Sequence, residues 1–463
     1  MTQPNNVLTA AQMRAAEDDA IARGTSVEEL MQRAGEGTAD WVWRIGAGHP
    51  VTVLCGPGNN GGDGYVLAEA IRRRGGLARV VAPMEPTTEA AKAARAGFIG
   101  EIADPADCHG TVFVDCLFGT GLSRSLSREL IGLIVALAET HQRAVAVDLP
   151  SGVATDSGEV LQPGLPKYDA TIALGAWKPA HWLMPAMALM GERKLVTIGI
   201  DPVPGAATLL GRPQIAPPAQ DAHKYTRGLV HVVGGHLPGA SLMACEAAGR
   251  AGAGAVRLAG TIPPNLPSDV IVRGEPLVEQ LADDRTGAVL IGPGLGTDDA
   301  ARQWLADVVA AKRPTVIDAD ALTLLGPELL RGTDSPRILT PHGGEMSRLL
   351  KNFSLEGETK SQQALAVAKA AGAVVVFKGP DTVIAGPDGR VAYAPSPTSW
   401  LSVAGTGDVL AGIAAARLAA TGDPFRAACE AVWLHGEAAR LAGPAFLASD
   451  LAEQVTAAVA AAL

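Results

Sequence analysis

The chain has 463 residues, which is more than one domain ordinarily contains, so two domains are expected. Its formal net charge of −10 argues against a nucleic-acid surface, because phosphate binding is usually marked by a basic patch. The five cysteines form no C-x-x-C pair, and neither a secretory signal nor a long apolar stretch is present, so a cytoplasmic protein without membrane spans is predicted.

Strand-like and helix-like segments alternate through the first half of the chain. Residues 8–43 are predicted to form two helices, and Ser26 caps the second with Glu29 three residues later. Short apolar runs then predict strands at 51–55, 78–83, 111–115, 144–148 and 170–175, with helices at 65–74 and 130–141. This alternation is typical of a mainly parallel sheet with helices on both faces.

A proline-rich segment separates this half from the next. Residues 201–220 contain five prolines, which indicates an inter-domain linker. The alternation then restarts, with strands predicted at 229–235, 255–260, 288–292, 314–320, 337–341 and 373–379, and helices at 409–420, 425–441 and 449–463. We therefore predict α/β domains at residues 1–210 and 223–463, joined by a linker at 211–222.

The segment GPGNNGGDG, residues 56–64, follows the first predicted strand and fits the dinucleotide pattern G-x-G-x-x-G. Free backbone N–H groups before a helix suit a phosphate, and ligands of open α/β sheets bind beyond the carboxyl ends of the strands. The pattern by itself leaves two readings open. One is a Rossmann dehydrogenase loop, with Glu85 near the place of its ribose-binding acid, and the other is a plain tight turn.

Three aspartates also fall at strand ends or in the loops after them. Asp63, Asp115 and Asp148 are expected along one rim of the sheet, where a dehydrogenase needs no carboxylate cluster. A hard cation would use such oxygens together with those of Asn60 and Ser151, and a partly enclosed carboxylate can serve as a general base. For Asp148 and Ser151 alone, simple capping of a turn or helix remains the alternative.

Several segments in order resemble the NAD(P)H-hydrate epimerase family over roughly residues 8–200. They are LMQRAG (30–35), GPGNNGGDGY (56–65), VDCLFGTGL (114–122), VDLPSG (147–152) and the later Lys178. The resemblance implies a Rossmann-like domain whose glycine segment binds a hydrated, damaged nicotinamide dinucleotide and interconverts its R and S epimers. It implies Asp148 as the catalytic acid or base, and potassium at Asn60, Asp115 and Ser151. The implied substrate-binding residues are Asn59, Asn60, Gly61, Gly62, Asp63, Gly119, Thr120, Gly121, Leu122, Ser123, Arg124 and Ser125.

The segment AGTGDVLAG, residues 404–412, is the sharpest feature of the second half. Gly405 and Gly407 free the backbone before a helix that begins near Asp408, and a helix N-terminus favours an anionic group. A carboxylate beside a phosphate suits a base that takes the proton of an attacking hydroxyl. For Asp408 alone, an ordinary stabilising acid in the first helical turn is the alternative.

The GTGD run resembles the anion-hole loop of ribokinase-like kinases, and the whole set of segments over 221–463 resembles ADP-dependent NAD(P)H-hydrate dehydratase. The other segments are HKYTRG (223–228), GGHLPGAS (234–241), GPGLG (292–296), DADAL (318–322), TPHGGE (340–345) and FKGPDTVI (377–384). The resemblance implies that ADP phosphorylates the hydroxyl of the S hydrate. Phosphate then leaves, and NAD(P)H is restored with AMP as by-product.

Residue roles in the second half follow from the same resemblance. Asp408 is implied as the base, with Ala240, Gly296 and His342 contacting the hydrate, although His342 as a buried structural histidine remains an alternative. The implied nucleotide-binding residues are Lys378, Gly379, Pro380, Asp381, Thr382, Gly405 and Gly407. Magnesium is expected with the nucleotide phosphates. No His or Cys spacing indicates zinc.

The segment SWLSVAG, residues 399–405, departs from the dehydratase pattern. Trp400 is bulky, and Ala404 stands where a glycine is common, so a reshaped nucleotide or nicotinamide pocket is expected. The competing hypothesis for the chain is a ribokinase-like small-molecule kinase with a non-catalytic N-terminal binding or assembly module. In either case we expect a homo-oligomer that acts on small molecules, NADH or NADPH hydrate and ADP in the first case, without nucleic-acid or membrane partners.

Overall fold

A computed structural model describes residues 5–264, 266–395 and 397–463, and the chain divides into two compact units, Met1–Thr208 and Leu209–Leu463. The strands up to this boundary are β1 (Asn6–Val7), β2 (Val51–Cys55), β3 (Ala78–Val81), β4 (Glu101–Ile102), β5 (Gly110–Cys116), β6 (His141–Val147), β7 (Ala170–Leu174), β8 (Glu192–Val196) and β9 (Ala207–Leu209). The helices of unit 1 are α1 (Ala10–Ala22), α2 (Val27–Ile45), α3 (Asn59–Arg73), α4 (Glu89–Gly97) and α5 (Arg128–Glu139).

The main sheet of unit 1 is parallel and covered on both faces. Its strand order is β4-β3-β2-β5-β6-β7-β8. Successive residues of a strand point to opposite faces, so Val53 joins the core that includes α2 and α3, whereas Leu54 joins the core that includes α5. Burial on both faces explains why strand β2 is a continuous apolar run.

The carboxyl ends of β2, β5 and β6 lie side by side and position the first site. In the register, Leu54 is opposite Asp115, and Asp115 is opposite Ala146. The segments that follow these three strands therefore meet at one edge. Strand β6 ends at Val147, one residue earlier than predicted, because Asp148 adopts a left-handed backbone with φ of 63°.

The glycine segment 56–64 is mostly helix rather than loop. Helix α3 begins at Asn59, with Gly58 as its N-cap, whereas the sequence predicted a helix only from residue 65. Close packing explains the difference, because a Cβ at Gly61 would lie 1.9 Å from the carbonyl oxygen of Gly56. Such glycines allow the first turns of α3 to approach the neighbouring backbone.

We expect Gly61→Ala to destabilise unit 1, whereas the same change at Gly132 stabilises it. Alanine ordinarily favours a helix over glycine, but at position 61 the steric clash dominates, so a loss of about 1–3 kcal/mol in the free energy of unfolding is expected. Gly132 lies exposed in α5 with no atom within 4 Å of an added Cβ, and there a gain of about 0.5–1 kcal/mol is expected. Proteolysis of the full chain in increasing urea would measure both midpoints, and equal midpoints for Gly61→Ala and the native chain would contradict the packing argument.

Unit 2 contains the strands β10 (Leu229–Gly234), β11 (Ala255–Gly260), β12 (Val270–Val272), β13 (Thr286–Ile291), β14 (Thr315–Ile317), β15 (Arg337–Leu339), β16 (Val374–Phe377), β17 (Asp381–Ala385) and β18 (Val391–Pro395). Its helices are α6 (Pro238–Arg250), α7 (Leu277–Leu281), α8 (Asp299–Ala310), α9 (Ala319–Leu324), α10 (Pro327–Leu330), α11 (Gly343–Asn352), α12 (Lys360–Ala371), α13 (Thr406–Thr421), α14 (Pro424–Ala442) and α15 (Ala448–Ala462). These strands lie in the order β18-β17-β16-β15-β14-β13-β10-β11-β12.

The sheet of unit 2 is parallel from β12 to β16 and ends in antiparallel strands. Strand β17 pairs antiparallel with both β16 and β18. Only residues 378–380 separate β16 from β17, which is too short for a parallel crossover. Helices α6, α13, α14 and α15 contact one another, whereas α8, α9, α11 and α12 form a second set of contacts. The predicted α/β fold class of both halves is confirmed.

The structure corrects one predicted strand boundary in unit 2 and adds two strands. The strand predicted at 314–320 ends at Ile317, because Asp318 is the N-cap of α9. The antiparallel strands β17 and β18 were not among the predicted elements.

Across the ranges that the structure describes, none of the helices is both long enough and apolar enough to cross a bilayer.

Candidate active sites

A cavity of about 570 Å³ opens at the carboxyl edge of the unit 1 sheet. Asn59, Asn60 and Asp63 line it from the start of α3, and the segment 119–122 and Asp148 line it from the ends of β5 and β6. These predicted residues are thus brought together by three neighbouring strands.

The other predicted substrate residues of unit 1 lie differently. Gly61 packs on Gly56, and Gly62 packs on Met31, whose sulfur would be 2.6 Å from an added Cβ. Residues 123–125 are exposed beyond the cavity-lining segment, and the Ser125 hydroxyl donates to the Leu161 carbonyl at 2.8 Å.

Asp148 forms a buried ion pair with Lys178, whose side chain is 1% exposed. The second carboxylate oxygen accepts hydrogen bonds from the hydroxyl and backbone N–H of Thr120, the latter at 3.2 Å. Burial opposes ionisation of Asp148, but the charge and hydrogen bond of Lys178 outweigh it, so the pKa of Asp148 lies below its ordinary value. Asp148 is therefore a carboxylate at neutral pH, the form that a proton acceptor must have, although its lowered pKa makes it a weak base.

His181 links the backbones of the two residues of this ion pair. The backbone N–H of Lys178 donates to His181 Nδ1 at 2.9 Å, and His181 Nε2 lies 2.7 Å from the Asp148 carbonyl oxygen. An acceptor role for Nδ1 leaves the proton on Nε2. Burial and the nearby Lys178 lower the pKa of His181 to about 4, so the ring is neutral.

Asp63 faces the same cavity, and its pKa is shifted in the opposite direction. Its side chain is buried and lines the cavity. Burial, together with the charges of Asp148 and Glu17, raises the pKa of Asp63 well above its ordinary value. Two carboxyl groups whose environments separate their pKa values form a natural acid and base pair.

The three predicted potassium ligands, Asn60, Asp115 and Ser151, differ in the number of hydrogen bonds that their side-chain oxygens make. Asp115 accepts hydrogen bonds from Ser151 N–H at 3.0 Å, Ser151 Oγ at 2.7 Å, Tyr168 OH at 2.6 Å and Leu117 N–H at 3.1 Å. The Asn60 amide oxygen and nitrogen are buried without a partner within the described ranges. A Cβ at Gly119 would lie 3.1 Å from that oxygen and 3.2 Å from Asp148 Oδ2, so glycine keeps this corner open.

The start of helix α13 forms the centre of the second site. Gly405, its N-cap, has φ of 93°, which glycine adopts without strain. Asp408 lies in the first turn, and Lys378 Nζ lies 3.4 Å from the position of a Cβ at Gly407. A lysine ammonium and free helical N–H groups together favour an anion at this point.

Lys378 is held among carboxylates. Its ammonium lies 2.7 Å from Asp318 Oδ1 and 3.9 Å from Glu345 Oε2. Burial lowers the pKa of Lys378, but these carboxylates outweigh burial and raise it, so the charge is retained. Burial and the charge of Asp318, opposed by Lys378, raise the pKa of Asp408 to about 6. Such a carboxyl is suited to take a proton near neutral pH.

The residues predicted to contact the hydrate lie on three other segments. Ala240 is half-buried in the first turn of α6, and the Gly296 N–H donates to Asp320 Oδ2 at 2.8 Å. The His342 side chain is 56% exposed, and its Nδ1 accepts from the Gly344 N–H at 3.0 Å as the cap of α11. The alternative of a buried structural histidine is therefore wrong.

The predicted nucleotide residues 378–382 lie in the turn between β16 and β17 and in the first two residues of β17. Thr382 closes this turn, because its hydroxyl donates to the Gly379 carbonyl at 2.9 Å and accepts from the Gly379 N–H at 3.2 Å. Lys360 of α12 lies 2.5 Å from Asp381 Oδ1, and a Cβ at Gly379 would be 2.7 Å from Lys360 Nζ. Lys360 therefore adds a second positive charge beside the turn.

Comparisons with known proteins follow the two units. Residues 27–180 match the family described as YjeF-related protein N-terminus, and residues 230–460 match the family NAD(P)H-hydrate dehydratase. A Coxiella burnetii relative is 34% identical and covers 92% of this chain and 93% of its own length. A Synechocystis relative is 31% identical and covers 94% and 90%. Both are named bifunctional NAD(P)H-hydrate repair enzyme. The chain belongs to this family.

Membership of the bifunctional NAD(P)H-hydrate repair enzymes confirms the predicted function, an enzyme that epimerises and dehydrates NAD(P)H hydrate. Unit 2 is also similar to the ADP/ATP-dependent NAD(P)H-hydrate dehydratase of Bacillus subtilis, which was co-crystallised with ATP and Mg²⁺. That similarity has 28% identity and a TM-score of 0.46, and it covers 54% of this chain and 95% of the other.

Five residues that the structure places at the candidate sites were absent from the sequence-based prediction. His181, Asp318, Asp320, Glu345 and Lys360 were not assigned any role. Four of them had a local signal, since Asp318 and Asp320 lie in DADAL, Glu345 ends TPHGGE, and His181 follows Lys178 by three residues. Lys360 lies 21 residues before Asp381, and no short pattern links the two residues.

Proposed function

We propose that unit 1 interconverts the R and S forms of NAD(P)H hydrate with Asp148 as base, and that unit 2 dehydrates the S form with ADP and with Asp408 as base. One observation carries the proposal. In each unit an aspartate and a lysine stand together at the carboxyl edge of a sheet, beside a glycine-containing helix N-terminus. Asp148 and Lys178 form a buried pair, whereas Asp408 is half-buried in the first turn of α13, which approaches Lys378 at Gly407. Such an arrangement provides both an anion site and a proton acceptor.

In unit 2 the reaction begins with the C6 hydroxyl of the S hydrate. Asp408 takes the hydroxyl proton while the oxygen attacks the terminal phosphorus of ADP, and AMP leaves. Lys378 stabilises the charge on the phosphoryl oxygens. The new C6 phosphate then departs as inorganic phosphate with loss of the C5 proton, which restores the C5–C6 double bond of NAD(P)H. Ala240, Gly296 and His342 are proposed to position the hydrate.

In unit 1 the C6 hydroxyl leaves and returns on the other face of the ring. Asp63, whose pKa is raised by burial, protonates the departing hydroxyl, and the ring nitrogen lone pair forms a cationic imine. Water then adds to the opposite face and gives its proton to Asp148. The remaining predicted substrate residues are proposed to hold the dinucleotide: Asn59, Asn60, Gly61, Gly62, Gly119, Thr120, Gly121, Leu122, Ser123, Arg124 and Ser125.

Potassium at Asn60, Asp115 and Ser151 is part of the proposal. The unpartnered amide oxygen of Asn60 fits a cation that prefers oxygen ligands. The Asp115 carboxylate already accepts four hydrogen bonds, so it would exchange one of them for the cation. When bound, potassium would supply positive charge that holds this corner of the cavity together.

ADP is the proposed donor, and magnesium is proposed to accompany its phosphates. The nucleotide residues are Lys378, Gly379, Pro380, Asp381, Thr382, Gly405 and Gly407. Within the described ranges no three His, Cys, Asp or Glu side chains form a metal-holding group, so the phosphates would supply part of the magnesium coordination. We further propose a cytoplasmic homo-oligomer without nucleic-acid partners, with domains at 1–210 and 223–463 and a linker at 211–222.

The test is to incubate the full chain with mixed R and S hydrate, ADP, magnesium and potassium, and to follow the absorbance of the reduced nicotinamide. We expect two phases of NAD(P)H formation. The S hydrate is converted rapidly in the first phase. The R hydrate is converted in the second phase, at a rate faster than spontaneous epimerisation allows. Replacing potassium with sodium is expected to slow only the second phase, because the potassium residues lie in unit 1.

Recovery of neither epimer would refute both activities. If NAD(P)H formation stops once the S hydrate is consumed, the epimerase activity is refuted. If the rate of the second phase does not depend on potassium, only the cation site is refuted. A stable phosphorylated product from a sugar or vitamin alcohol would support the kinase hypothesis instead.

A further inference from the structure

The segment between β18 and α13 presents one exposed aromatic side chain. Trp400 is 52% exposed, whereas the other six tryptophans, all within the described ranges, are buried or half-buried. Exposing so large an apolar ring to water is unfavourable, since burial of apolar surface is a main stabilising contribution to folding. An exposed indole beside a proposed nucleotide site is available to contact a ligand ring.

The backbone around Trp400 is held firmly. Leu401 packs against the core of unit 2, so the neighbouring Trp400 is turned outward. The Trp400 N–H donates to Thr398 Oγ1 at 3.2 Å, and the Ser402 hydroxyl donates to the Ser399 carbonyl at 2.7 Å. The Thr406 hydroxyl donates to the carbonyls of residues 401 and 403, each at 3.0 Å. The exposed ring thus stands on a fixed turn rather than on a loose loop.

The ends of this segment belong to the two halves of the proposed nucleotide site. At its start, Pro395 pairs with Asp381 across strands β18 and β17. At its end, Gly405 caps α13, and the following turn approaches Lys378 at Gly407. The Leu401 carbonyl accepts from the hydroxyl of Thr406, the first residue of α13, at 3.0 Å, so Trp400 is one residue from a direct contact with the helix start at which the phosphate is proposed to bind.

We propose that Trp400 stacks on a heteroaromatic ring of a nucleotide bound at Lys378 and the start of α13. The ring is the adenine of ADP or a base of the dinucleotide hydrate, which share the same flat π surface. Indole offers a rigid stacking surface at low conformational cost. The proposal rests on the proposed function of unit 2 and adds a residue that governs nucleotide affinity.

The experiment uses the full chain as native protein, Trp400→Ala and Trp400→Phe, with Trp304→Phe as a control at a half-buried tryptophan. Intrinsic fluorescence is titrated with ADP, with NADP⁺ and with pyrophosphate, and affinity for each is measured by calorimetry. ADP is expected to quench native and Trp304→Phe emission but not that of the Trp400 variants. Trp400→Ala is expected to weaken ADP binding about 5- to 100-fold, and Trp400→Phe by about threefold or less.

Pyrophosphate has no ring, so its affinity is expected to be the same in all four proteins. A loss of affinity for NADP⁺ in place of ADP would support stacking but assign the ring to the dinucleotide. Unchanged affinity for both nucleotides in Trp400→Ala would overturn the proposal, and a simultaneous change in oligomeric state would assign Trp400 to a contact between copies. If the native chain binds ADP but fails to dehydrate the hydrate, the proposed function fails while stacking still stands.

Discussion

Asp408→Asn is expected to lower the rate of S-hydrate dehydration by about 10²–10⁴-fold, which is the usual contribution of a general base. Asparagine preserves the size of the side chain but cannot accept the hydroxyl proton. The measurement is the rate of NADH formation from purified S hydrate with saturating ADP. The epimerase activity of the same chain is expected to persist, because Asp148 and Lys178 lie in unit 1.

The pH dependence provides a second signature of the same residue. Because the pKa of Asp408 is raised to about 6, the native rate is expected to fall about tenfold per pH unit below pH 6. The residual dehydration rate of Asp408→Asn should not show this fall below pH 6. A pH profile without an acid limb in the native chain would contradict the role of Asp408 as base.

Stability separates this role from that of an ordinary helix acid. A carboxyl whose pKa is raised on folding favours its protonated form in the native state, so ionisation of Asp408 opposes folding and stability is lost as the pH rises towards 6. At pH 7 we therefore expect Asp408→Asn to be no less stable than the native chain. Asp299 in the first turn of α8 is the matched control, where Asn should cost about 0.3–1 kcal/mol and leave dehydration intact.

Two outcomes would assign Asp408 to the ordinary role. One is a loss of stability in Asp408→Asn similar to that in Asp299→Asn, and the other is retained dehydration. Both together would show that the first-turn acid of α13 stabilises the helix dipole and does no chemistry.

The sequence predicted the fold well where residues are buried on both faces of a sheet. The runs 51–55 and 255–260 coincide with β2 and β11, because a continuous apolar run between turn residues has few other structures available. Prediction failed at the start of α3, where glycines suggested a loop. Helix propensity is a weak guide there, since contact of Gly61 and Gly64 with neighbouring segments decides the structure.

The sequence predicted where the sites lie but not the pKa shifts of their carboxyl groups. Strand ends identify which aspartates meet, because parallel strands place their carboxyl ends at one edge. The opposite pKa shifts of Asp63 and Asp148 depend on burial, which raises the pKa of Asp63, and on Lys178, which lowers that of Asp148. Lys178 lies 30 residues after Asp148 and reaches it only through the fold. Burial and pairing of this kind have no local pattern in the sequence.

Asp148→Asn is expected to slow interconversion of the R and S hydrates at least about 100-fold, because the amide cannot take the proton of the incoming water. Asparagine tolerates the left-handed backbone at this position, so the change adds little backbone strain. Dehydration of purified S hydrate by the same protein is the internal control and should stay at the native rate. A coupled assay that starts from pure R hydrate measures the loss directly.

A loss of activity could also arise from the buried Lys178 left without its partner. Removing one member of a buried ion pair costs about 3–5 kcal/mol, so Asp148→Asn is expected to destabilise unit 1. The double variant Asp148→Asn with Lys178→Met removes both charges and should recover most of that stability. If Asp148 is the base, the double variant remains inactive in epimerisation although its fold is restored. Recovery of epimerisation together with stability would instead make Asp148 a partner that only holds Lys178, and the catalytic base of unit 1 would have to be sought elsewhere in the cavity.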